Sequence, residues 1–395
     1  ARPLPAETLP TERACNRVLA EEVVSPLDVP PFDRSAMDGF AVQAAGTEGA
    51  GDYNPLRFQV IGEALPGRPF EGTLQAGQAV RIMTGAPLPA GANAVVPAEY
   101  ATEQGGHVEL TTTVSEGKHV GRCGEDVRQG AVLLPAGRCL RPQDTGLLAS
   151  TGIGEVQVVR QPRVRILITG NELATPGTSR TPWQIYESNS VMLAPLVERD
   201  GGVLESLRRL PDDRDAIRQA LTEPGADVIL VSGGSSVGRE DHAPVLLAEE
   251  GTLAIHGVAM RPSSPAGLGR VGSSLVVLLP GNPVSCLCAF DFFAGRIIRL
   301  LGGKPAEWPY RSLPVPLRRK IVSAVGRLDY CRVRLTDDGA EPLALSGASI
   351  LSSTSRADGF VIVPESLEGW PPGAEVTVHL YDLFPTVQPA AGGTR

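Results

Sequence analysis

The chain has 395 residues, 20% of them charged, and a formal net charge of −8. That length allows roughly two to four domains with sizeable cores, and the acidic balance excludes a general nucleic-acid binder while leaving room for a local basic pocket. No apolar run approaches the length of a membrane span, and no signal peptide is visible. The six cysteines are Cys15, Cys123, Cys139, Cys286, Cys288 and Cys331. They form no C-x-x-C pair and have no histidines at zinc spacing, so they read as core positions. A reducing cytoplasm is the expected location. Lysine occurs only as Lys118, Lys304 and Lys320, a bias that reads as genomic composition. A start at Ala1 instead of Met leads us to expect that an upstream piece has been removed.

Residues 11–24 predict a helix followed by a short strand, and Pro26, Pro30 and Pro31 then end regular structure. Asp33 and Asp38 flank a tight polar turn that runs into the apolar Phe40-Ala41-Val42. An Asp-Gly turn is the default reading there. From 43 to 120, short alternating runs broken by Gly and Pro predict a small β-rich domain. Thr84-Gly85-Ala86-Pro87 is a turn directly after one of its strands. A helix around 142–151 and a strand at 155–159 follow, after the adjacent carboxylates Glu125 and Asp126, which read as a solvated turn.

Residues 163–302 change character. Apolar strands at 164–169, 203–208, 228–231, 253–258 and 275–279 alternate with helices at 189–200, 212–222, 242–250 and 284–300. The pattern predicts a doubly wound, mostly parallel α/β domain, whose ligands bind outside the carboxyl ends of the strands. Four apolar residues, Val228 to Val231, lead into the loop Ser232-Gly233-Gly234-Ser235-Ser236-Val237-Gly238, and Asp241 precedes the next helix. A Gly/Ser loop, a carboxylate and a helix start suit a phosphate or other oxyanion, with or without a metal. The same residues would equally make an ordinary turn. Thr169-Gly170-Asn171-Glu172 and Pro280-Gly281-Asn282-Pro283 fall at the same predicted edge, and the three loops together are a far stronger signal than any one. No G-x-G-x-x-G or Walker-type loop is present, which disfavours a dinucleotide or NTPase site. Residues 303–395 turn strand-like again and predict a small β-barrel-like or sandwich domain with a disordered tail from Gln388.

Taken in order, these stretches resemble the molybdopterin molybdenumtransferases, the insertases of molybdenum-cofactor synthesis. The resemblance covers nearly the whole chain. It rests on Pro31 to Val42, Arg81 to Pro89, Gly124-Glu125-Asp126, Thr169 to Leu173, Gln184 to Asn189, Ser232-Gly233-Gly234, Leu279 to Ser285 and Ser355 to Gly359. It implies a multidomain, elongated α/β plus β chain. Domain I would comprise 1–35 and 121–162, an inserted β-rich domain II 36–120, the α/β domain III 163–308, and a C-terminal β domain IV 309–387, with a tail at 388–395. It further implies a homodimer with clefts where two chains meet, and an N-terminal helix lying before Ala1.

The implied reaction takes adenylylated molybdopterin and molybdate to the molybdenum cofactor and AMP, with Mg²⁺ as the divalent ion and transient contact with a molybdopterin adenylyltransferase. Matching motifs assigns Asp241, Asp212 and Glu172 to the metal or the hydrolytic step. Ser232, Gly233, Gly234 and Ser236 would cradle phosphates or pterin, Pro280 and Pro283 would shape the neighbouring loop, and Ser285 joins the binding set. Asp38, Thr84 and Asp126 match cleft positions from the other part of the molecule. Arg332 and Ser349 would add oxyanion contacts. The chain also departs from the family. Arg261-Pro262-Ser263-Ser264-Pro265 stands where Lys-Pro-Gly-Lys-Pro is usual, so Arg261 keeps a charge and Ser264 offers only a hydroxyl. Asn171, Glu187 and Asn93 each stand where Asp is usual. The alternatives are a divergent paralogue specialised for tungstate or catalytically weak, and a non-catalytic dimeric scaffold of the gephyrin E-domain type. Retention of Glu172, Asp212 and Asp241 weighs against the scaffold.

Overall fold

The computed structural model describes residues 2–234, 241–344 and 347–382. The chain divides into two compact units, one of Thr8–Val158 and the other of the residues up to Glu7 with those described from Val159 onward.

In the first unit, six strands form a mixed sheet in the order Ala94–Pro97, Gly39–Val42, Gln78–Ile82, Leu56–Ala64, His107–Leu110, Ala101–Gln104. Side chains alternate across a strand. Phe40 and Val42 therefore join one core with Phe58, Val96 and Leu110, while Ala41 joins a second with Val80, Ile82 and Val95. Both faces of the Gly39–Val42 strand are covered, which is why it reads as a continuous apolar run. A separate core gathers Leu19, Leu134, Leu140, Leu148 and Val158 around the helix Pro142–Ser150. That helix starts with Pro at its first position, and the Asp144 carboxylate accepts the Arg141 backbone N–H at 2.9 Å. The helix expected within 11–24 is instead a single 3-10 turn, Thr11–Arg13. Asn16 takes a left-handed φ of 65°, which ends any helix there, and Val18 and Leu19 then bridge to Cys139 and Val158.

The second unit holds the α/β region. Its sheet order is Val203–Leu210, Arg163–Thr169, Val228–Ser232, Ser274–Leu279, Gly267–Val271, Thr252–His256. The first four strands are parallel and the last two antiparallel. The Gly267–Val271 strand escapes sequence reading because glycines interrupt it. A Cβ on Gly269 would lie 2.2 Å from the Thr252 carbonyl, so the neighbouring strand requires glycine there. All five residues of Val228–Ser232 are buried. Val228 and Leu230 pack with the helix Asn189–Arg199 and the helical stretch from Pro283 to Leu301 through Leu193, Val197, Phe290 and Ile298. Ile229 and Val231 face the helices Arg214–Thr222 and His242–Glu250 through Ile217, Leu221, Leu246 and Leu247. Helices on both faces make this a doubly wound sheet, as expected.

The helix expected at 284–300 carries one π turn, Phe290–Ala294. This turn seats buried Asp291 against Arg199 at 3.0 Å and the Tyr310 hydroxyl at 2.9 Å. Burial pushes the Asp291 carboxyl up to about 6.

The C-terminal residues form an open mixed sheet in the order Met260–Arg261, Leu328–Thr336, Gly359–Val363, Glu375–Leu380, Arg311–Pro316, with Gly339–Ala344 pairing on Leu328–Thr336. Its first strand is borrowed from the α/β region, with Arg261 in register opposite Asp329. The expected tail from Gln388 lies outside the described residues.

Candidate active site

Three strands, Arg163–Thr169, Val228–Ser232 and Ser274–Leu279, deliver their carboxyl ends to one cavity of about 770 Å³. The strand order reverses direction around the Arg163–Thr169 strand, so the cavity lies at the switch point of the sheet. Its walls include Gly170 and Glu172 from the first loop, Gly233 and Gly234 from the second, and Pro280, Gly281, Asn282 and Pro283 from the third. Asp212, Asp241 and Ser349 also line it. Glu172 and Asp241 therefore face one space, as the sequence reading requires. Ser236 lies outside the described residues.

The loops are tied together by a residue to which sequence reasoning assigned no role. The buried Asn189 side chain donates from Nδ2 to Ser232 Oγ at 2.9 Å and to the Gly281 carbonyl at 2.7 Å. One amide at the start of the Asn189–Arg199 helix thus joins the ends of two strands. Ser232 Oγ sits 3.5 Å from the Pro280 carbonyl and 3.6 Å from Cys286 Sγ, so it braces the loop from within. Burial pushes the Cys286 thiol up to about 12, which keeps it a neutral packing group.

Gly233 has φ +95°, and a Cβ there would lie 2.2 Å from the Thr169 carbonyl. Only glycine lets the second loop approach the first so closely. In the first loop, Asn171 and Asp212 exchange bonds. The Asn171 N–H donates to Asp212 Oδ2 at 2.9 Å, and the Asp212 N–H to Asn171 Oδ1 at 3.3 Å. Glu187, buried on the cavity wall, accepts from the Ser190 N–H at 2.7 Å, from the Ser190 hydroxyl, and from Arg209 Nε at 3.2 Å. Two departures from the family pattern, Asn171 and Glu187, therefore hold the wall in shape. The third, Asn93, accepts the Ala44 N–H at 2.8 Å in the other unit.

The remaining predicted residues distribute differently. Arg261 is not part of the cavity lining; its guanidinium pairs with Asp329, a fully buried carboxylate that also accepts from the Ser323 hydroxyl at 2.7 Å. Ser264 is exposed and outside the lining. Ser285 is buried, with its carbonyl accepting from the Ser263 hydroxyl at 2.7 Å. Arg332 is fully buried in the Leu328–Thr336 strand and does not line the cavity. In the first unit, Asp38 accepts from the backbone N–H and hydroxyl of Thr84, both at 2.7 Å, and those bonds hold its carboxyl below the usual aspartate value. Asp126 is exposed, and its N–H donates to the Val29 carbonyl at 3.0 Å.

Among the described residues, no three acidic, His or Cys side chains stand close enough together to preassemble a metal site. Glu172, Asp212 and Asp241 line one cavity without converging, each on its own loop, with Asp212 engaged by Asn171. They are oxygen donors only, which suits a hard ion completed by ligand oxygens and water. Sequence reasoning also missed Ile185, Tyr186, Pro265 and Leu351 on the walls. The first three lay in quoted stretches, but nothing in the spacing showed which way they face.

Such a cavity, with glycine loops at a sheet switch point, helix starts and an oxygen-rich, acidic lining, defines an α/β protein with a ligand cavity at the carboxyl edge of its sheet. Comparison with known proteins narrows this. Residues 1–152 match the MoeA N-terminal region (domain I and II), 165–299 a probable molybdopterin binding domain, and 314–381 the MoeA C-terminal region (domain IV). The chain is 37% identical over 386 residues to molybdopterin molybdenumtransferase 2 of Mycobacterium tuberculosis, covering 94% of each. It is 32% identical to the molybdopterin molybdenumtransferase of Haemophilus influenzae, covering 96% of this chain and 95% of that one. The structure of the molybdopterin biosynthesis MoeA protein from Pyrococcus horikosii superposes with a TM-score of 0.82 at 33% identity, covering 97% of this chain and 96% of that one. The chain belongs to the MoeA family of molybdopterin molybdenumtransferases.

Proposed function

We propose that this chain inserts molybdenum from molybdate into adenylylated molybdopterin, releasing AMP. The observation that carries the reading is the meeting of three glycine loops and three carboxylates on one cavity, in a chain with full-length likeness to transferases of that name. The N–H groups of the Gly233-Gly234 turn and the helix starts around the cavity hold phosphate oxygens. Asn189 fixes the loops in register, so the anhydride is presented to water in one orientation. The two pterin thiols take molybdenum from molybdate, one oxide leaving with their protons as water, and water adds across the phosphoanhydride, so the products are AMP and the molybdenum-bearing pterin monophosphate.

Glu172, Asp212 and Asp241 would hold Mg²⁺ together with substrate oxygens, and the ion when bound offsets charge at the scissile link. Within this reading Asp38, Thr84 and Asp126 keep their cleft roles and Ser349, on the cavity wall, its anion-binding role, whereas Arg261, Ser264, Ser285 and Arg332 stand off that wall. The working unit is a cytoplasmic homodimer that meets the adenylyltransferase transiently. No helix among the described residues is long and apolar enough to cross a membrane. The test is incubation with adenylylated molybdopterin and either molybdate or tungstate, measuring AMP release and cofactor formation. Turnover with molybdate is expected; no turnover with either anion overturns the proposal.

A further inference from the structure

The chain that enters the cavity wall at Ile185 and Tyr186 carries exposed aromatic side chains that phosphate binding does not use. Trp183 is 89% exposed, and beside it Ile185 and Tyr186 are 59% and 48% exposed. Ile185 and Tyr186 line the cavity, so the patch is continuous with it. Single exposed apolar residues need no explanation, but three large ones within four residues of chain, two of them on a cavity wall, do.

Nor is Trp183 on a loose end. The turn that presents it is closed by bonds at both ends. The Gln184 N–H donates to the Thr181 carbonyl at 3.2 Å, and the Thr181 N–H donates to Gln184 Oε1 at 3.1 Å. Arg180 Nη1 donates to the Gln184 carbonyl at 2.8 Å, and its guanidinium carbon lies 5.8 Å from the centre of the Tyr186 ring. The Tyr186 hydroxyl donates to the Thr178 carbonyl at 2.9 Å. The turn thus holds an indole in water while its own polar groups are satisfied locally.

We infer that Trp183, with Tyr186 and Arg180, is the platform on which the purine base of the nucleotide substrate stacks. The inference rests on the proposed substrate, because it takes the phosphates of that substrate to lie in the adjoining cavity. A flat aromatic base suits an exposed indole beside a guanidinium. Stacking of this kind tolerates the loss of any single hydrogen bond and adds affinity through area alone. Trp183 is a specificity-determining residue here and takes no part in the chemical step.

The test compares AMP with ribose 5-phosphate, which keeps sugar and phosphate but lacks the base, by titration calorimetry on the full chain. AMP should bind roughly 5- to 100-fold more tightly than ribose 5-phosphate, and should quench Trp183 emission. The other two tryptophans, Trp308 and Trp370, are partly buried with their indole N–H groups bonded to backbone carbonyls at 3.0 and 3.2 Å. Trp183→Ala should erase the advantage of AMP and leave ribose 5-phosphate unchanged, and Trp183→Phe should restore most of it. An AMP advantage that persists in Trp183→Ala overturns the inference. So does a Trp183→Ala protein that changes oligomeric state on gel filtration with AMP affinity intact, because the indole then faces another copy of the chain. If ribose 5-phosphate binds and AMP gains nothing, this inference falls and the substrate reading stands. If neither binds the unaltered protein, the substrate reading falls and takes the platform with it.

Discussion

Asn189→Ala isolates the brace that holds the cavity together. The change removes bonds of 2.9 Å to Ser232 Oγ and 2.7 Å to the Gly281 carbonyl. Two net hydrogen bonds are worth about 2 kcal/mol. The Ser232 hydroxyl, 1% exposed, is then left with only long contacts at 3.5 and 3.6 Å, which adds about 1 kcal/mol. Gly281 is exposed and can turn to water, so its carbonyl adds little. Alanine recovers a few tenths of a kcal/mol as the better helix former. The expected loss is about 2–3 kcal/mol, read as a fall in the urea midpoint at constant slope. Because the bonds fix two loops relative to a helix, AMP release should fall by about 10- to 100-fold. The double variant with Ser232→Ala should be less destabilised than the sum of the two single variants, by about 0.5–1.5 kcal/mol. A variant within about 0.5 kcal/mol of wild type, with AMP release intact, would show that the loops are held by something else.

Gly233→Ala must push a Cβ to 2.2 Å from the Thr169 carbonyl at φ +95°, so the strand end or the loop has to move; we expect at least about 2 kcal/mol of destabilisation and little AMP release. Asp241→Asn should bind AMP near normally while AMP release from adenylylated molybdopterin drops about 100-fold, and undiminished release removes Asp241 from the mechanism. Asp144, 4% exposed, is held well below the usual aspartate value of 3.8 by side-chain bonds from Arg141 and Arg138. A depressed folded value means stability that is present above 3.8 and lost as pH falls through the lowered value. Asp144→Asn should therefore lower Tm at neutral pH, with the gap to wild type closing in strongly acidic buffer; a gap that does not depend on pH refutes the assignment.

Much of this architecture is legible because period and composition carry it. The apolar run Val228–Val231 announces a strand covered on both faces, and three glycine loops, each directly after a buried strand, announce the cavity. The readings that miss are those in which a distant partner overrides a local pattern. Residues 11–24 have the spacing of a helix, yet Asn16 turns left-handed and Leu19 pairs with Val158. Gly267–Val271 looks too glycine-rich for a strand, and is one because Gly269 must pass close to the Thr252 carbonyl. Asn189 sits in a recognisable stretch, but its partners lie 43 and 92 residues away, and no local pattern encodes them.

Arg261 shows the same limit for charge. A guanidinium in the place of a lysine reads, in sequence, as a cation kept for an anionic ligand. In the structure its short strand pairs in parallel with Leu328–Thr336, and that register sets it opposite Asp329, 68 residues further on. A carboxylate buried as completely as Asp329 needs a cation beside it. Removing Arg261 leaves Asp329 with Arg327 at 3.2 Å and the Ser323 hydroxyl at 2.7 Å, so Arg261→Ala should destabilise the C-terminal sheet by about 1–3 kcal/mol. Arg261→Lys should recover part of this, since an ammonium keeps the charge and loses the fork. If Arg261 serves only Asp329, both variants lose stability while oxyanion affinity holds. Oxyanion affinity that falls in Arg261→Ala with the urea midpoint unmoved would place the charge on the ligand instead, and the Asp329 pairing would not be what the residue is for.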